Sequence, residues 1–278
     1  MTLGKKYSKN EVLALKIQYL GTAAAEGWPA VFCQCEYCSR ARKMGGKNIR
    51  SRSQVLIDDL YLVDFPPDTY HHAISQGLEL GGVEHLFVTH SHEDHFYPQD
   101  LAMRTQPFAH LKEKGKLKLW GNKVVAAMVE TDAVETHVIG HGDTFQAGSL
   151  TLTALGANHM ETEEALLFII EDGERGIFYA HDSGWYPEKT WELLAGRELD
   201  LVNFDCTFGP KSNRYGHMGI PDILEAREKL WAIGAIKPEA KCVITHFSHN
   251  GGMLHGELEE HVAETGLIVA YDGMIIEI

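Results

Sequence analysis

Residues 89–95 read THSHEDH and follow an apolar run, HLFVT at 85–89, that predicts a buried β-strand. His90 and His92 are two positions apart, so an extended backbone points both side chains to the same side. Asp94 and His95 follow where the chain turns, and they can face a second position a few ångströms away. This spacing predicts two metals about 3.5–4 Å apart, as in hydrolytic two-metal sites. The competing interpretation is a solvated loop, which suits a lone His better than this cluster.

The HxHxDH pattern after a strand resembles the metallo-β-lactamase fold superfamily, in which further ligands lie at later strand ends. The resemblance implies an α/β fold of four layers (αββα), with two central mixed sheets flanked by helices. His159 follows a predicted strand at 150–155, Asp182 follows one at 176–179, and His246 follows one at 242–245. These three residues occur in the order that the superfamily requires.

The resemblance also implies how the ligands are divided between two divalent metals. A first metal would be held by His90, His92 and His159. A second would be held by Asp94, His95 and His246, with Asp182 shared. A water or hydroxide between the metals would be the nucleophile, because cations lower the pKa of bound water, to about 7 in zinc sites. Zn suits a His-rich site and carboxylates also suit Mn or Fe, so the metal identity stays open.

Three of the five cysteines form a CxCxxC motif at Cys33, Cys35 and Cys38. In a reducing compartment such a motif suits thiolate ligation of a tetrahedral zinc, which needs a fourth ligand. His249 lies three residues after His246, so one local turn could supply a ligand to each site. The alternative is a buried or redox-active cysteine trio.

The combination of motifs most closely resembles the phosphoribosyl cyclic phosphodiesterases of the carbon–phosphorus lyase pathway. The matching segments are Gly21-Thr22, the CxCxxC motif, residues 89–95, residues 245–249 and Asp272-Gly273-Met274. The pyrroloquinoline quinone biosynthesis protein B group shares the cysteine motif and is a more distant resemblance. The closer resemblance implies a structural zinc at the cysteines and hydrolysis of a small cyclic or simple phosphodiester at the two-metal site.

Asp94 and His217 are the candidate catalytic residues. His217 follows a Gly-containing loop and precedes a predicted helix at 221–231, a context in which the resemblance implies an acid or a substrate contact. An expelled alkoxide needs a proton, which an imidazole can donate near neutral pH. A helix-start or surface histidine is the alternative. We expect Asp205 and Asp64 to support ligands rather than to react.

The charge balance limits the partners. With 25 Lys+Arg against 39 Asp+Glu, the net charge is −14, which disfavours binding to a nucleic-acid polymer. A basic run from Arg40 to Arg52 contains six cations and no acid, and it either attracts an anionic substrate or is a solvated loop. We expect a small anionic substrate, no membrane association and, as the default assembly, a homodimer.

The organisation of the chain is simple. We predict one hydrolase domain over residues 1–278, without a linker or repeat. Residues 1–9 are polar and lack the features of a signal peptide, so we expect a cytoplasmic protein.

Two other functions remain open. A related metallo-hydrolase could act on a lactone, thioester, β-lactam or RNA end, since one fold serves many reactions. A non-catalytic metal-binding protein of the same fold is the second alternative, although it would not need all seven ligands.

Overall fold

The computed structural model describes residues 14–112 and 115–278, so the prediction for residues 1–9 lies outside the described residues. Within these two ranges, fourteen strands form two mixed sheets of seven strands each.

The first sheet combines the N-terminal half of the chain with the last strand. Its spatial order is β14 (Ile275–Glu277), β1 (Lys16–Gly21), β2 (Gln54–Ile57), β3 (Tyr61–Val63), β4 (His85–Phe87), β5 (Leu117–Gly121) and β6 (Val134–Val138). Strands β14 to β3 pair antiparallel, whereas β3 to β6 pair parallel. Asp58-Asp59 lies between two short apolar runs, a sequence pattern that predicts a hairpin. In the structure this pair joins β2 to β3, and both aspartates have positive φ, which turn positions favour.

The second sheet repeats this pattern with the C-terminal half. Its spatial order is β13 (Leu267–Val269), β12 (Ile236–Thr245), β11 (Leu199–Asp205), β10 (Gly176–Ala180), β9 (Leu166–Glu171), β8 (Leu150–Gly156) and β7 (Thr144–Ala147). Strands β7 to β10 are antiparallel and β10 to β13 are parallel. Strand β9 is apolar at nearly every position because both of its faces are buried.

Helices cover the outer faces of the two sheets. They are α1 (Glu36–Met44), α2 (Thr69–Gln76), α3 (Lys123–Ala127), α4 (Glu188–Leu194), α5 (Ile220–Ala232) and α6 (His255–Val262). Helices α2 and α3 contact the first sheet, and α4, α5 and α6 contact the second. The polar, proline-led segment Pro98–Arg104 after the run at 85–89 predicts a helix by its sequence. In the structure it is a 3-10 helix in which only Leu101 is buried, so it lacks the apolar stripe that anchors an α-helix.

Apolar side chains form three layers around the sheets. Phe87 of β4 and Phe168 of β9 meet in the layer between the sheets. Leu86 and Leu167, one position earlier on the same strands, point to the two outer layers under the helices. This alternation builds the four-layer αββα arrangement, and the predicted fold class is confirmed. Among the described residues, no helix is long and apolar enough to cross a membrane.

Candidate metal centre and catalytic cavity

The predicted metal ligands converge at the ends of strands from both sheets. Residues 90–95 follow β4, Asp182 follows β10 and His246 follows β12. Because parallel strands end at a common edge, this topology collects side chains that are distant in sequence. His159 enters the same region from the loop after β8.

The first cluster contains the imidazoles of His90, His92 and His159 together with Asp182. Nδ1 of His92 lies 2.9 Å from Nε2 of His90 and 3.2 Å from Nε2 of His159. Oδ2 of Asp182 lies 3.4 Å from Nε2 of His90 and 3.6 Å from Nε2 of His159. Four ligand atoms therefore face a common point.

The second cluster shares Asp182 and adds Asp94, His95 and His246. Nε2 of His95 lies 3.3 Å from Nε2 of His246 and 3.3 Å from Oδ2 of Asp94. Oδ2 of Asp182 is 2.9 Å from Nε2 of His95, and its Oδ1 is 2.9 Å from Nε2 of His246. The structure thus places Asp182 between the two groups of imidazoles.

The far nitrogens of these imidazoles are held by neighbouring groups. Oδ2 of Asp64 lies 2.7 Å from Nδ1 of His95, and Oγ1 of Thr207 lies 2.8 Å from Nδ1 of His246. The carbonyl of Gly216 lies 3.1 Å from Nδ1 of His159. Such partners set the tautomer that leaves Nε2 as a ligand atom.

The chemistry of this donor set fits divalent cations. Burial lowers the pKa of His90 well below its usual range, so its imidazole is neutral and offers a lone pair. At His95 burial opposes protonation, yet Asp182, Asp94 and Asp64 together raise its pKa well above the usual range. His90 therefore offers a neutral nitrogen donor, and the negative potential that favours a proton on His95 would also favour a divalent cation in place of that proton.

Three residues of the site have a left-handed backbone. The φ angles of Asp64, Asp182 and His246 are 65°, 49° and 59°. Residues other than glycine seldom adopt this conformation, and where they do so they often lie at functional sites. Here it turns the chain sharply after β3, β10 and β12 and directs each side chain into the cluster.

A cavity of about 600 Å³ opens onto the clusters and also contains His217. Nδ1 of His217 lies 2.8 Å from Oδ2 of Asp205, which is fully buried. The cavity is also lined by Lys211, whose ammonium donates to the carbonyl of Asn250 at 3.0 Å. The cavity therefore brings the clusters together with the His217 imidazole and the Lys211 ammonium.

None of the described residues that line this cavity belongs to the basic run from Arg40 to Arg52. Arg50 is buried and donates to Thr22 and to the carbonyl of Ala270. Arg52 pairs with Asp68 at 3.1 Å. The run is therefore neither a plain solvated loop nor part of the cavity wall.

Cys33, Cys35, Cys38 and His249 form a separate cluster beside the cavity. Nδ1 of His249 lies 3.5 Å from Sγ of Cys35 and 3.8 Å from Sγ of Cys33. Burial raises the pKa of the Cys35 thiol, but the backbone N–H of Cys38 and the neighbouring thiols and His249 outweigh it and lower that pKa to about 7. A thiol that ionises near neutrality is a suitable metal ligand.

Two predicted supporting residues and two buried cysteines lie where the sequence placed them. Asp64 contacts His95, and Asp205 contacts both His217 and His246. Cys206 and Cys242, which lie outside the CxCxxC motif and which we expect to be buried small hydrophobic residues, are buried.

Sequence reasoning missed several other contributors to the site. Thr207 contacts His246, and Lys211 lines the cavity. Glu163 accepts from the backbone N–H of Ser91 at 2.8 Å and thereby ties the loop of His159 to residues 89–95. Polar residues of this kind have no characteristic spacing, and the only signal was their position in loops that follow predicted strands.

Comparison with known proteins supports the fold and the family. The family described as "Beta-lactamase superfamily domain" matches residues 61–247. A UPF0173 metal-dependent hydrolase from Alkaliphilus metalliredigens (strain QYMF) is 26% identical over 152 residues, and the match covers 51% of this chain and 62% of that protein. The match therefore spans about three fifths of that relative's length.

Two solved structures share the fold. A new diphosphatase from the PhnP family has a TM-score of 0.74 at 22% identity, covering 95% of this chain and 98% of that one. Zn²⁺-bound PqqB from Methylobacterium extorquens has a TM-score of 0.74 at 19% identity, covering 95% and 100%. With the family match over residues 61–247, these likenesses lead to one conclusion: the chain belongs to the β-lactamase superfamily.

Proposed function

We propose that this protein is a metal-dependent hydrolase that opens a small cyclic or simple phosphodiester to a monoester, as the phosphoribosyl cyclic phosphodiesterases do. One observation carries the proposal. A single cavity opens onto two His/Asp clusters that share Asp182, and it is lined by an imidazole, His217, that the buried carboxylate of Asp205 holds.

The clusters divide into three metal positions. His90, His92, His159 and Asp182 would hold one divalent metal, and Asp94, His95, His246 and Asp182 a second. Cys33, Cys35, Cys38 and His249 would hold a structural zinc. When bound, a pair of divalent cations supplies an activated water at neutral pH and polarises the substrate oxygen. Zn and Mn are the first metals to test, followed by Fe.

His217 supplies the proton that the reaction needs. Hydrolysis forms a bond from phosphorus to the water oxygen and breaks the bond from phosphorus to the leaving alcohol. Asp205 contacts Nδ1 of His217 and leaves Nε2 to donate a proton to the departing oxygen. Burial lowers the pKa of His217, but the carboxylate outweighs it and raises the pKa, so the imidazolium is populated near neutral pH.

Lys211 and bound cations together would let an acidic protein attract an anion. The net charge of −14 is spread over the chain, and the cavity wall itself carries Glu26, Asp94 and Asp182 beside the Lys211 ammonium. Bound cations would add further positive charge. A small phosphodiester is therefore attracted locally, while a long polyanion meets the negative charge of the remaining surface.

The test is a substrate panel on the metal-loaded protein. Bis(p-nitrophenyl) phosphate, small cyclic phosphates and a diphosphate ester are compared with a lactone, a thioester and a β-lactam, with Mn or Zn added. We expect turnover of phosphodiesters that stops on chelation. Turnover of an ester or lactam without any phosphodiester activity would replace the proposal with another hydrolase activity.

Metal analysis separates an enzyme from a binding protein. About three equivalents of metal per chain, two of them readily exchangeable, fit the two-metal hydrolase with its zinc site. Zinc bound at the cysteines alone would favour the non-catalytic alternative.

A further inference from the structure

Part of the cavity wall is built from two segments that also lead to the cysteine cluster. Residues 24–26 precede the cysteines, and residues 248–250 follow His246 and include His249. The backbone N–H of Ala24 donates to the carbonyl of Phe247 at 3.0 Å, and the N–H of Phe247 donates to the carbonyl of Thr22 at 2.9 Å. The two segments are therefore paired between the cysteine cluster and the His/Asp clusters.

Glu26 makes the side-chain link across this pair. The hydroxyl of Ser248 donates to Oε1 of Glu26 at 2.5 Å. The same Oε1 lies 3.6 Å from Nε2 of His249, whose Nδ1 faces the cysteine sulfurs. Ser248 also accepts from the backbone N–H of Asn250 at 3.1 Å, which caps the 3-10 turn His249–Gly251.

The carboxylate of Glu26 acts on the tautomer of His249. A distance of 3.6 Å is longer than a hydrogen bond, but a negative charge there favours the proton on Nε2. The lone pair of Nδ1 is then free for a metal shared with the thiolates. In many zinc sites an outer carboxylate accepts a hydrogen bond from the ligating histidine, whereas at 3.6 Å Glu26 acts on His249 through its charge.

We propose that Glu26 is a positioning residue that holds His249 for metal binding at the cysteine cluster. Through Ser248 it also ties that cluster to the turn after His246, and so to the His/Asp clusters. Glu26 contacts the turn rather than the reacting atoms, so its effect is on metal binding. The proposal needs no substrate, and its test is independent of the phosphodiesterase activity.

The first measurement is metal release from the full-length, zinc-loaded protein to a chromogenic chelator. Glu26→Ala should release the cysteine-bound zinc about tenfold faster, since loss of an outer-shell partner costs 10–100-fold in affinity. Glu26→Gln keeps an oxygen acceptor for Ser248 but removes the negative charge, so it should also release zinc faster than the original protein, although by less than Glu26→Ala. Cobalt substitution identifies which site releases its metal, because the thiolate-to-cobalt absorption band arises from the cysteine site alone. This band should shift in Glu26→Ala.

Glu36→Ala is the matched control. Glu36 lies next to the same cysteines on the exposed first turn of α1 and pairs with Arg40 at 3.9 Å. The Glu36→Ala variant should release zinc at the same rate as the original protein. Release from Glu26→Ala at that same rate, with an unshifted cobalt band, would overturn the positioning role.

The second measurement is the affinity of the His/Asp clusters for Mn²⁺ by titration calorimetry. Glu26→Ala should weaken this affinity about threefold because His246 lies two residues before the tethered Ser248, a smaller effect than at the directly contacted ligand. Ser248→Ala, which removes the tether from the other side, should act in the same direction. Circular dichroism and thermal melting establish that each variant is folded. An unchanged Mn²⁺ affinity in both variants would overturn the link between the two sites.

Discussion

Oδ2 of Asp205 lies 2.8 Å from Nδ1 of His217 and 3.3 Å from Nδ1 of His246, although Asp205 is fully buried at the end of β11. One carboxylate thus orients both the proposed proton donor and a proposed metal ligand. Because burial makes a charge costly unless it is paired, each imidazole also stabilises the carboxylate, and the pKa of Asp205 lies below its usual range. The arrangement therefore couples the proposed proton donor to a proposed metal ligand through one carboxylate.

His217→Ala should slow hydrolysis in a manner that depends on the leaving group. General acids contribute about 10²–10⁴-fold when the leaving group is a poor one. An alkyl phosphodiester should therefore lose at least about a hundredfold in kcat, whereas bis(p-nitrophenyl) phosphate, with its acidic phenol, should lose about tenfold or less. Steady-state kinetics on both substrates checks this. Equal losses on the two would assign His217 to substrate binding or structure.

Asp205→Asn should move the alkaline limb of the pH profile. In the native protein the carboxylate raises the pKa of His217 against the effect of burial. The acid form donates the proton, so activity falls as pH rises through that pKa, and removing the charge should bring the fall to lower pH. The kcat–pH profile with an alkyl phosphodiester measures it. A limb that stays in place would show that another group provides the proton.

Asp64→Asn should weaken metal binding at the second cluster. Asp64 is fully buried, accepts from the N–H and hydroxyl of Thr89, and contacts Nδ1 of His95. Asparagine tolerates the same left-handed backbone, so the loss falls mainly on the orientation of His95. We expect the dissociation constant for Mn²⁺ to rise about 10–100-fold, measured by calorimetry. Asp59→Asn, at an exposed hairpin position paired with Lys16, should leave it unchanged.

His72 should make the protein less stable in mild acid. It is buried between Gln54 and Ser51, and burial lowers its pKa to about 4 from an ordinary 6.5. The unfolded chain then binds the proton more readily, so stability is full above pH 6.5 and falls as pH drops towards 4. Between pH 7 and pH 5 the original protein should lose about 2 kcal/mol more than His72→Gln in urea unfolding.

The control for this comparison is His261→Gln, at an exposed position of α6. It should keep the acid sensitivity of the original protein. An unchanged pH slope in His72→Gln would assign the acid sensitivity to other groups.

Much of the fold could be predicted because its signals are local. The run at 85–89, the Asp58-Asp59 turn and the apolar segment of β9 each specify a strand or turn over a few residues. Short helices such as α2 and α4 were not predicted, because a segment of seven or eight residues has little helical stability of its own. Packing against a sheet supplies the stabilisation that such a segment needs.

Local sequence patterns identify the residues that can bind metal and, for residues 90–95, their geometry, because two-residue spacing on an extended chain is a local property. Three contacts follow only from the folded chain: Asp205 faces His217, Lys211 rather than the basic run lines the cavity, and Glu26 reaches the turn of His249. These contacts depend on the parallel register of β10, β11 and β12 and on the loops at their ends. Such long-range geometry arises only when the whole chain packs, so no short motif encodes it.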